Sequence, residues 1–445
     1  MKSSAPLLLV CLFTAECLAQ APNWTLIKPT QSPVEMSRPA MSYDSSRKVT
    51  VLFGGRDTQT RSNNDTWEYD GTTWTKITPP LSPSARSGHE MVYDSNRNLS
   101  VMYGGPGMRD TWTWDGVTWT KIRIPAAQKP SARTSFAMAY DESRQKIVLF
   151  GGYDSLKGLV NDTWEFDGVI WAKVTSLVST PPGRVDHAMA YDAHRKVVVL
   201  FGGDGQSGAL NDTWEWNGTI WRQVTPAGNT PSARRATKLL AYDGNRRRVL
   251  MFGGNDGVLV DETWEYDGTS WTEVATATKP RGREQHRMVY DSDRRRVVMF
   301  GGTQNGRETW EYWGSPGIMT PDVDTVSLVT GGTQTLSLEA GSAHANLPYW
   351  IFGSITGATP GVALNGVHIP LNIDVYTQIA MQNVTANPPF NGFRSMLDAN
   401  GEATAQFIVP SGLVNVGFKL HHAFIVFDGS GAFYCASNPV SIEIK

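Results

Sequence analysis

The stretch His187-Ala-Met-Ala-Tyr-Asp-Ala-His-Arg195-Lys-Val-Val-Val-Leu-Phe-Gly-Gly203, followed by Asp212-Thr-Trp-Glu-Trp-Asn-Gly-Thr-Ile-Trp-Arg-Gln-Val224, decides the fold. Alternation and turn chemistry divide it into four short strands. His187 to Tyr191 alternates, and Asp192 to Arg195 is a polar turn. Val197 to Phe201 is a nearly continuous apolar run, as expected of a strand covered on both faces. Gly202-Gly203 is expected to end it. Asp212 to Trp216 alternates again, and Asn217-Gly218 carries the two-residue hairpin signal, which asks for positive φ at both residues. Trp221 to Val224 is the fourth strand.

The same pattern is written six times, with glycine pairs at Gly54-Gly55, Gly104-Gly105, Gly151-Gly152, Gly202-Gly203, Gly253-Gly254 and Gly301-Gly302. Successive copies therefore start about 50 residues apart, a period that belongs to repeat architectures. One four-stranded unit cannot bury both its faces, so the units must stack. Stacked radially they make a propeller. The aromatics agree: Trp67, Trp112, Trp164, Trp214, Trp264 and Trp310 share one register position, and Tyr69, Trp114, Phe166, Trp216, Tyr266 and Tyr312 stand two residues later. Residues two apart on a strand share a face, so each blade offers its neighbour a paired aromatic wedge.

Closure is legible too. Copies one to five end in Trp74-Thr-Lys-Ile, Trp119-Thr-Lys-Ile, Trp171-Ala-Lys-Val, Trp221-Arg-Gln-Val and Trp271-Thr-Glu-Val, whereas copy six runs from Trp313-Gly314 into Ser315-Pro316. The missing strand is expected at the other end of the chain, where Trp24-Thr-Leu-Ile27 repeats the pattern. The expectation is an all-β chain: a six-bladed propeller closed by an N-terminal strand, with no free sheet edge.

These residues make residues 22–315 resemble the Kelch-repeat β-propeller family, in the variant with Tyr-Asp-x-x-Arg ahead of the double glycine, like the central domain of galactose oxidase. After a linker at 316–322, the Trp and Arg content falls. Segments such as Thr335-Leu-Ser-Leu, Ala403 to Val409 and Val440 to Ile444 alternate as strands of a smaller β-sandwich at 323–445. Leu397-Asp-Ala-Asn-Gly-Glu-Ala and Ala436-Ser-Asn-Pro make that part similar to the closing domains of secreted bacterial proteins.

Residues 1–21 read as a signal peptide, with Lys2, the apolar Leu7 to Phe13 and the cleavage site Ala19-Gln-Ala21. The protein is thus expected to be secreted, extracellular or periplasmic, with no membrane span. Cys11 and Cys17 leave with that segment, and Cys435 alone cannot form an internal disulfide. A net charge of −2, from 40 basic and 42 acidic residues, gives no field that would recruit nucleic acid.

The candidate binding residues are few. Arg86, Arg133, Arg184, Arg234 and Arg283 lead into the innermost strands, with Met36 in their place in copy one. They form either a guanidinium ring at one mouth of the channel, suited to a carboxylate or sulfate, or ties from blade to blade. His89, His187 and His286 fall four residues before the Tyr in alternate copies, with Pro39, Phe136 and Lys238 between them. A three-histidine metal site would need convergence that inner strands around a channel do not give. No metal, cofactor or catalytic residue is assigned. The loops after Gly-Gly differ between copies, which places specificity on that rim. The expected role is recognition of a glycan or protein partner. The alternative, implied by the resemblance alone, is a secreted carbohydrate-active enzyme of the galactose-oxidase or sialic-acid-epimerase type. Its ligand set of Tyr, His and a thiol-modified Tyr cannot be assembled from these residues.

Overall fold

The computed structural model describes residues 22–175, 179–235, 239–304 and 306–314, and beyond them strand segments alone. The signal segment, Lys238 and the turns at Asn400-Gly401 and Asp428-Gly429 lie outside the described residues. Residues Pro22–Gly314 form one compact unit, and Ser315–Lys445 belongs to another.

The first unit is a set of antiparallel sheets, one main sheet per copy of the repeat with a small three-stranded sheet added in copy three, consistent with a β-propeller. In copy one, Ala40–Asp44, Val49–Phe53, Thr66–Tyr69 and Trp74–Ile77 pair in chain order. Copies two, three and five repeat this plan, and copy four adds Arg184–Val185 alongside its second strand. In copy six, His286–Asp291, Arg296–Gly301 and Thr309–Trp313 are completed by Asn23–Ile27, with Trp24 opposite Tyr312 and Leu26 opposite Trp310.

Packing between sheets follows the aromatic register. Trp67, Tyr69 and Trp74 of copy one bury against Val298 and Phe300 of copy six. Trp214, Trp216 and Trp221 of copy four bury against Val148 and Phe150 of copy three. Each fourth-strand indole also donates to the threonine of Asp/Glu-Thr-Trp in the preceding copy. Trp119 reaches Thr66 at 3.0 Å, Trp221 reaches Thr163 at 2.9 Å and Trp271 reaches Thr213 at 3.1 Å. Trp74 of copy one reaches back to Thr309 of copy six at 2.9 Å, and Trp24 reaches Thr263 of copy five at 2.9 Å. The N-terminal strand thus does for copy six what Trp271 does for copy five. A fully buried Trp removes about 150–250 Å² from water, worth ~4–6 kcal/mol as an upper estimate. The polar N–H would oppose this burial without a partner, and the threonine hydroxyl removes the opposition.

A second cycle runs at the turns. Asp44 accepts from the backbone N–H of Ser46 and Arg47 and from Arg47 Nε, and the same guanidinium reaches Glu68 at 2.7 Å. The carboxylate at the Glu68 position then accepts from the aromatic of the next copy: Trp114 donates to Glu68 at 3.0 Å, Tyr266 to Glu215 at 3.1 Å and Tyr312 to Glu265 at 2.7 Å. Tyr69 donates to Glu311 at 3.0 Å, joining copy one to copy six.

Three local expectations need correction. The Asp-Gly dipeptides are not two-residue turns with both residues at positive φ. Only the glycine is, as at Gly71 with φ 98°. Asp70 instead opens a four-residue loop between Tyr69 and Trp74, its Oδ1 accepting from Thr72 and Thr73 N–H at 2.8 and 2.9 Å. An aspartate that satisfies its own loop makes the longer hairpin stable. Gly202-Gly203 does not end its strand, because Val197–Gly205 runs through it with a register shift between Phe201 and Gly203. In this copy the two glycines at positive φ make a bulge, whereas in copies one, two, three and five the second strand ends just before the pair. Within the segment read as linker, Ile318–Pro321 is a strand paired with Gly332–Glu339.

In the second unit, Gly332–Glu339 pairs with Glu402–Val409, and Phe418–Phe427 lies between Pro348–Ser354 and Val440–Ile444. His421 and His422 stand on the Phe418–Phe427 strand, and Cys435 pairs opposite its Val426.

Candidate functional site

The lead-in segment of each copy crosses its own Gly-Gly loop, and that crossing fixes the five arginines. Arg184 is fully buried. Its Nη1 donates to Gly202 O at 2.9 Å and Asp212 Oδ1 at 2.6 Å, its Nη2 to Asp212 Oδ2 at 2.8 Å and its Nε to Pro182 O at 3.1 Å. Arg86 forks Asp110 and Arg133 forks Asp162 in the same way. Arg234 and Arg283 each place Nη2 2.6 Å from Glu262 and Glu308. Their backbone carbonyls face the other way: Gly55 N–H donates to Arg86 O and Gly152 N–H to Arg184 O, both at 2.9 Å. A Cβ on Gly54 would stand 2.7 Å from Arg86 O, so the close approach of neighbouring copies requires glycine there.

Arg86, Arg184, Arg234 and Arg283 therefore tie their copies to the preceding ones through their carbonyls, and all five arginines close their own copies with their guanidinium groups. The donors are directed into the wall, not into a ring around the mouth. Burial opposes the ionisation of Asp212, and the Arg184 hydrogen bond and charge outweigh it, holding the carboxyl below its ordinary range. Copy one confirms the pairing by exception. Met36 replaces arginine, and Asp65 turns instead to Lys76 Nζ at 2.8 Å.

His89, His187 and His286 are all fully buried, each ring edge-on to a phenylalanine of the preceding copy: Phe53, Phe150 and Phe252. Phe136 fills the same seat in copy three, its ring against Gly104. Burial, with the Arg184 charge behind it, lowers the His187 pKa to about 3, so the ring is neutral. Among the described residues no group of three or more His, Cys, Asp or Glu gathers as a metal site.

The innermost strands of the six copies touch one another in a closed cycle from copy one to copy six and back. They enclose a channel cavity of about 240 Å³, lined by all six. At one end stand the tyrosines of Tyr-Asp-x-x-Arg, each beside the turn of the preceding copy; Ser143 N–H donates to Tyr191 Oη at 3.3 Å and His194 N–H to Tyr242 Oη at 3.2 Å. At the other end, five residues before the tyrosine in copies one, two, three, four and six, backbone groups of neighbouring copies meet. Arg38 N–H donates to Gln285 O, Gly88 N–H to Arg38 O and Asp186 N–H to Ser135 O, at 3.0, 3.1 and 3.0 Å. Arg38, Ser135, Asp186 and Gln285 all hold positive φ there, a conformation non-glycine residues adopt only where surroundings enforce it.

Two charged residues in this cavity escape sequence reasoning. Three residues before the tyrosine the copies carry Ala40, Glu90, Ala137, Ala188, Leu239 and Arg287, so Glu90 and Arg287 break an apolar position. Both line the cavity and both are buried. The signal was present as a departure from the repeat. A search for shared residues passes over it.

Residues 109–302 match the KLHDC2/KLHL20/DRC7 Kelch-repeats domain. Among curated proteins none matches the chain. Among solved structures, a glutamine variant of the Aleuria aurantia lectin in complex with alpha-methyl-L-fucoside is 13% identical, covering 63% of this chain and 93% of that chain at a TM-score of 0.40. The major Malassezia sympodialis allergen Mala s 1 is 11% identical, covering 65% of this chain and 95% of that chain at a TM-score of 0.36. No helix among the described residues is long and apolar enough to cross a membrane.

Proposed function

We propose that this chain, whose residues 109–302 are a Kelch-repeat domain, is an exported recognition protein. In this reading residues 22–315 form a six-bladed propeller clasped by the N-terminal strand, followed by a β-sandwich, and a signal peptide at 1–21 directs the chain out of the cytoplasm. The loops after Gly-Gly bind a glycan or protein partner. One observation carries the assignment of those loops. Where the scaffold positions are buried and mutually hydrogen-bonded, these loops expose Tyr153 at 50%, Leu156 at 93% and Val258 at 68%. Apolar and aromatic side chains on loops held by a rigid wall are what a binding rim offers.

A glycan array probed with the full chain, alongside a Tyr153→Ser, Leu156→Ser double variant, tests this. The expected result is a bound glycan class that the variant loses while its melting temperature is unchanged, since neither side chain contributes to the core. Binding that survives both substitutions moves the site off these loops. Export is checked separately by N-terminal sequencing of the mature protein, which should begin at or beside Pro22.

A further inference from the structure

The channel holds an arginine that the scaffold does not use. Arg287 is 3% exposed, and its one hydrogen bond among the described residues runs from Nη1 to His286 O at 2.9 Å. Nε and Nη2 find no acceptor. No carboxylate among the described residues lies within ion-pairing distance of it, unlike Arg86, Arg133, Arg184, Arg234 and Arg283. The two idle nitrogens are not arbitrary. Nε and Nη2 lie along one edge of the planar guanidinium and carry two parallel N–H bonds, the edge that matches the two oxygens of a carboxylate. Arg287 is one of the residues that line the cavity.

A buried, unpaired guanidinium is costly, and the chain shows strain on that account. Burial and the nearby positive charge of Arg38 bring the Arg287 pKa down to about 9, against the opposing pull of Asp186. At the matching position four other copies carry Ala40, Ala137, Ala188 and Leu239, so the fold does not need a charge there. The void of about 240 Å³ has room for a small molecule and not for a polymer. The methionines beside it, Met41, Met91, Met138 and Met288, supply apolar walls that adapt to a short carbon skeleton.

We propose that the channel is a binding site for a small carboxylate, held by the guanidinium of Arg287. The site is separate from the rim and does not depend on what the rim binds. Ligand entry would neutralise a buried charge that has no ion-pair partner among the described residues, so binding and stability rise together.

Calorimetric titration and thermal melting of the full chain with acetate and with succinate test this, with chloride at equal ionic strength as control. A carboxylate should bind at millimolar concentration or tighter and raise the melting temperature, and Arg287→Met should weaken that affinity by about tenfold or more. The methionine variant should itself melt no lower than the unaltered chain. Should it fail to fold, Arg287→Lys keeps the charge and removes the paired edge, and it too should bind more weakly. Failure of the unaltered chain to respond to either carboxylate, a variant that binds as tightly, or a response to chloride as strong as to acetate would each overturn the proposal.

Discussion

In the wall of copy four, buried Arg184 makes four hydrogen bonds, two of them to Asp212; in the channel, equally buried Arg287 makes one. The wall arginine repeats in five copies and its acidic partner repeats with it. The channel arginine occurs once, at a position filled elsewhere by three alanines, a leucine and Glu90. Repetition here marks the scaffold, because a ring of like units must solve the same burial problem at every seam. A charge that appears in one copy solves nothing for the seam, so its reason lies elsewhere.

Breaking the wall pair should give the largest effect. Arg184→Met leaves the half-buried Asp212 without its guanidinium, with Trp214 Nε1 still donating at 2.7 Å, and loss of one partner of such a pair costs up to about 3–5 kcal/mol. Urea denaturation measures it. Arg287→Met under the same conditions should cost nothing or stabilise. Equal losses in the two variants would erase the distinction between wall and channel.

A second test uses pH. His187 has an ordinary value of 6.5 and a folded value of about 3. As pH falls below 6.5 the unfolded chain takes up this proton first, so the stability from the neutral ring is complete above 6.5 and is lost as pH falls toward 3. The slope approaches about 1.4 kcal/mol per pH unit. Asp110, Asp162 and Asp212, whose carboxyls are also held low, add loss of the same sign only at more acid pH, where carboxylates titrate. His187→Phe, which copies the Phe136 seat, should remove the His187 share of the slope just below 6.5 and leave that of His286, which burial also holds well below 6.5. An unchanged slope would place the proton uptake on another group.

The smallest effect sharpens the comparison most. Copy two carries Thr113 where the other copies carry glutamate, and in copy three Phe166 stands where a Tyr or Trp would donate to it. The acceptor and the donor are missing together. Arg97, deprived of a glutamate, bonds Asp94 and the carbonyl of Asp167. Phe166→Tyr alone should be neutral or destabilising, and Thr113→Glu with Phe166→Tyr should recover about 0.5–1.5 kcal/mol of coupling in a double-mutant cycle. Zero coupling would show that the glutamate–aromatic link joins no sheets.

The four-stranded plan of each copy and the pairing of the Trp24 strand with Thr309–Trp313 were legible because alternation, glycine pairs and a missing fourth strand are written locally. The turns were legible only in outline. Whether Asp70 opens a two-residue or a four-residue loop depends on what its side chain accepts, and composition does not record that. The arginines were found as a repeated position, yet the direction of each guanidinium was not readable, since the carbonyl serves the preceding copy and the side chain its own. Glu90 and Arg287 were in plain view, and a reading tuned to periodicity passed over them.

Period, strand content and the aromatic register come from the sequence by itself, because burial of a two-sided sheet constrains every copy in the same way. Only the tertiary structure decided which donors are consumed. Hydrogen-bond saturation is set by the few ångströms between elements distant in the chain, and those distances exist only once the sheets stand against one another.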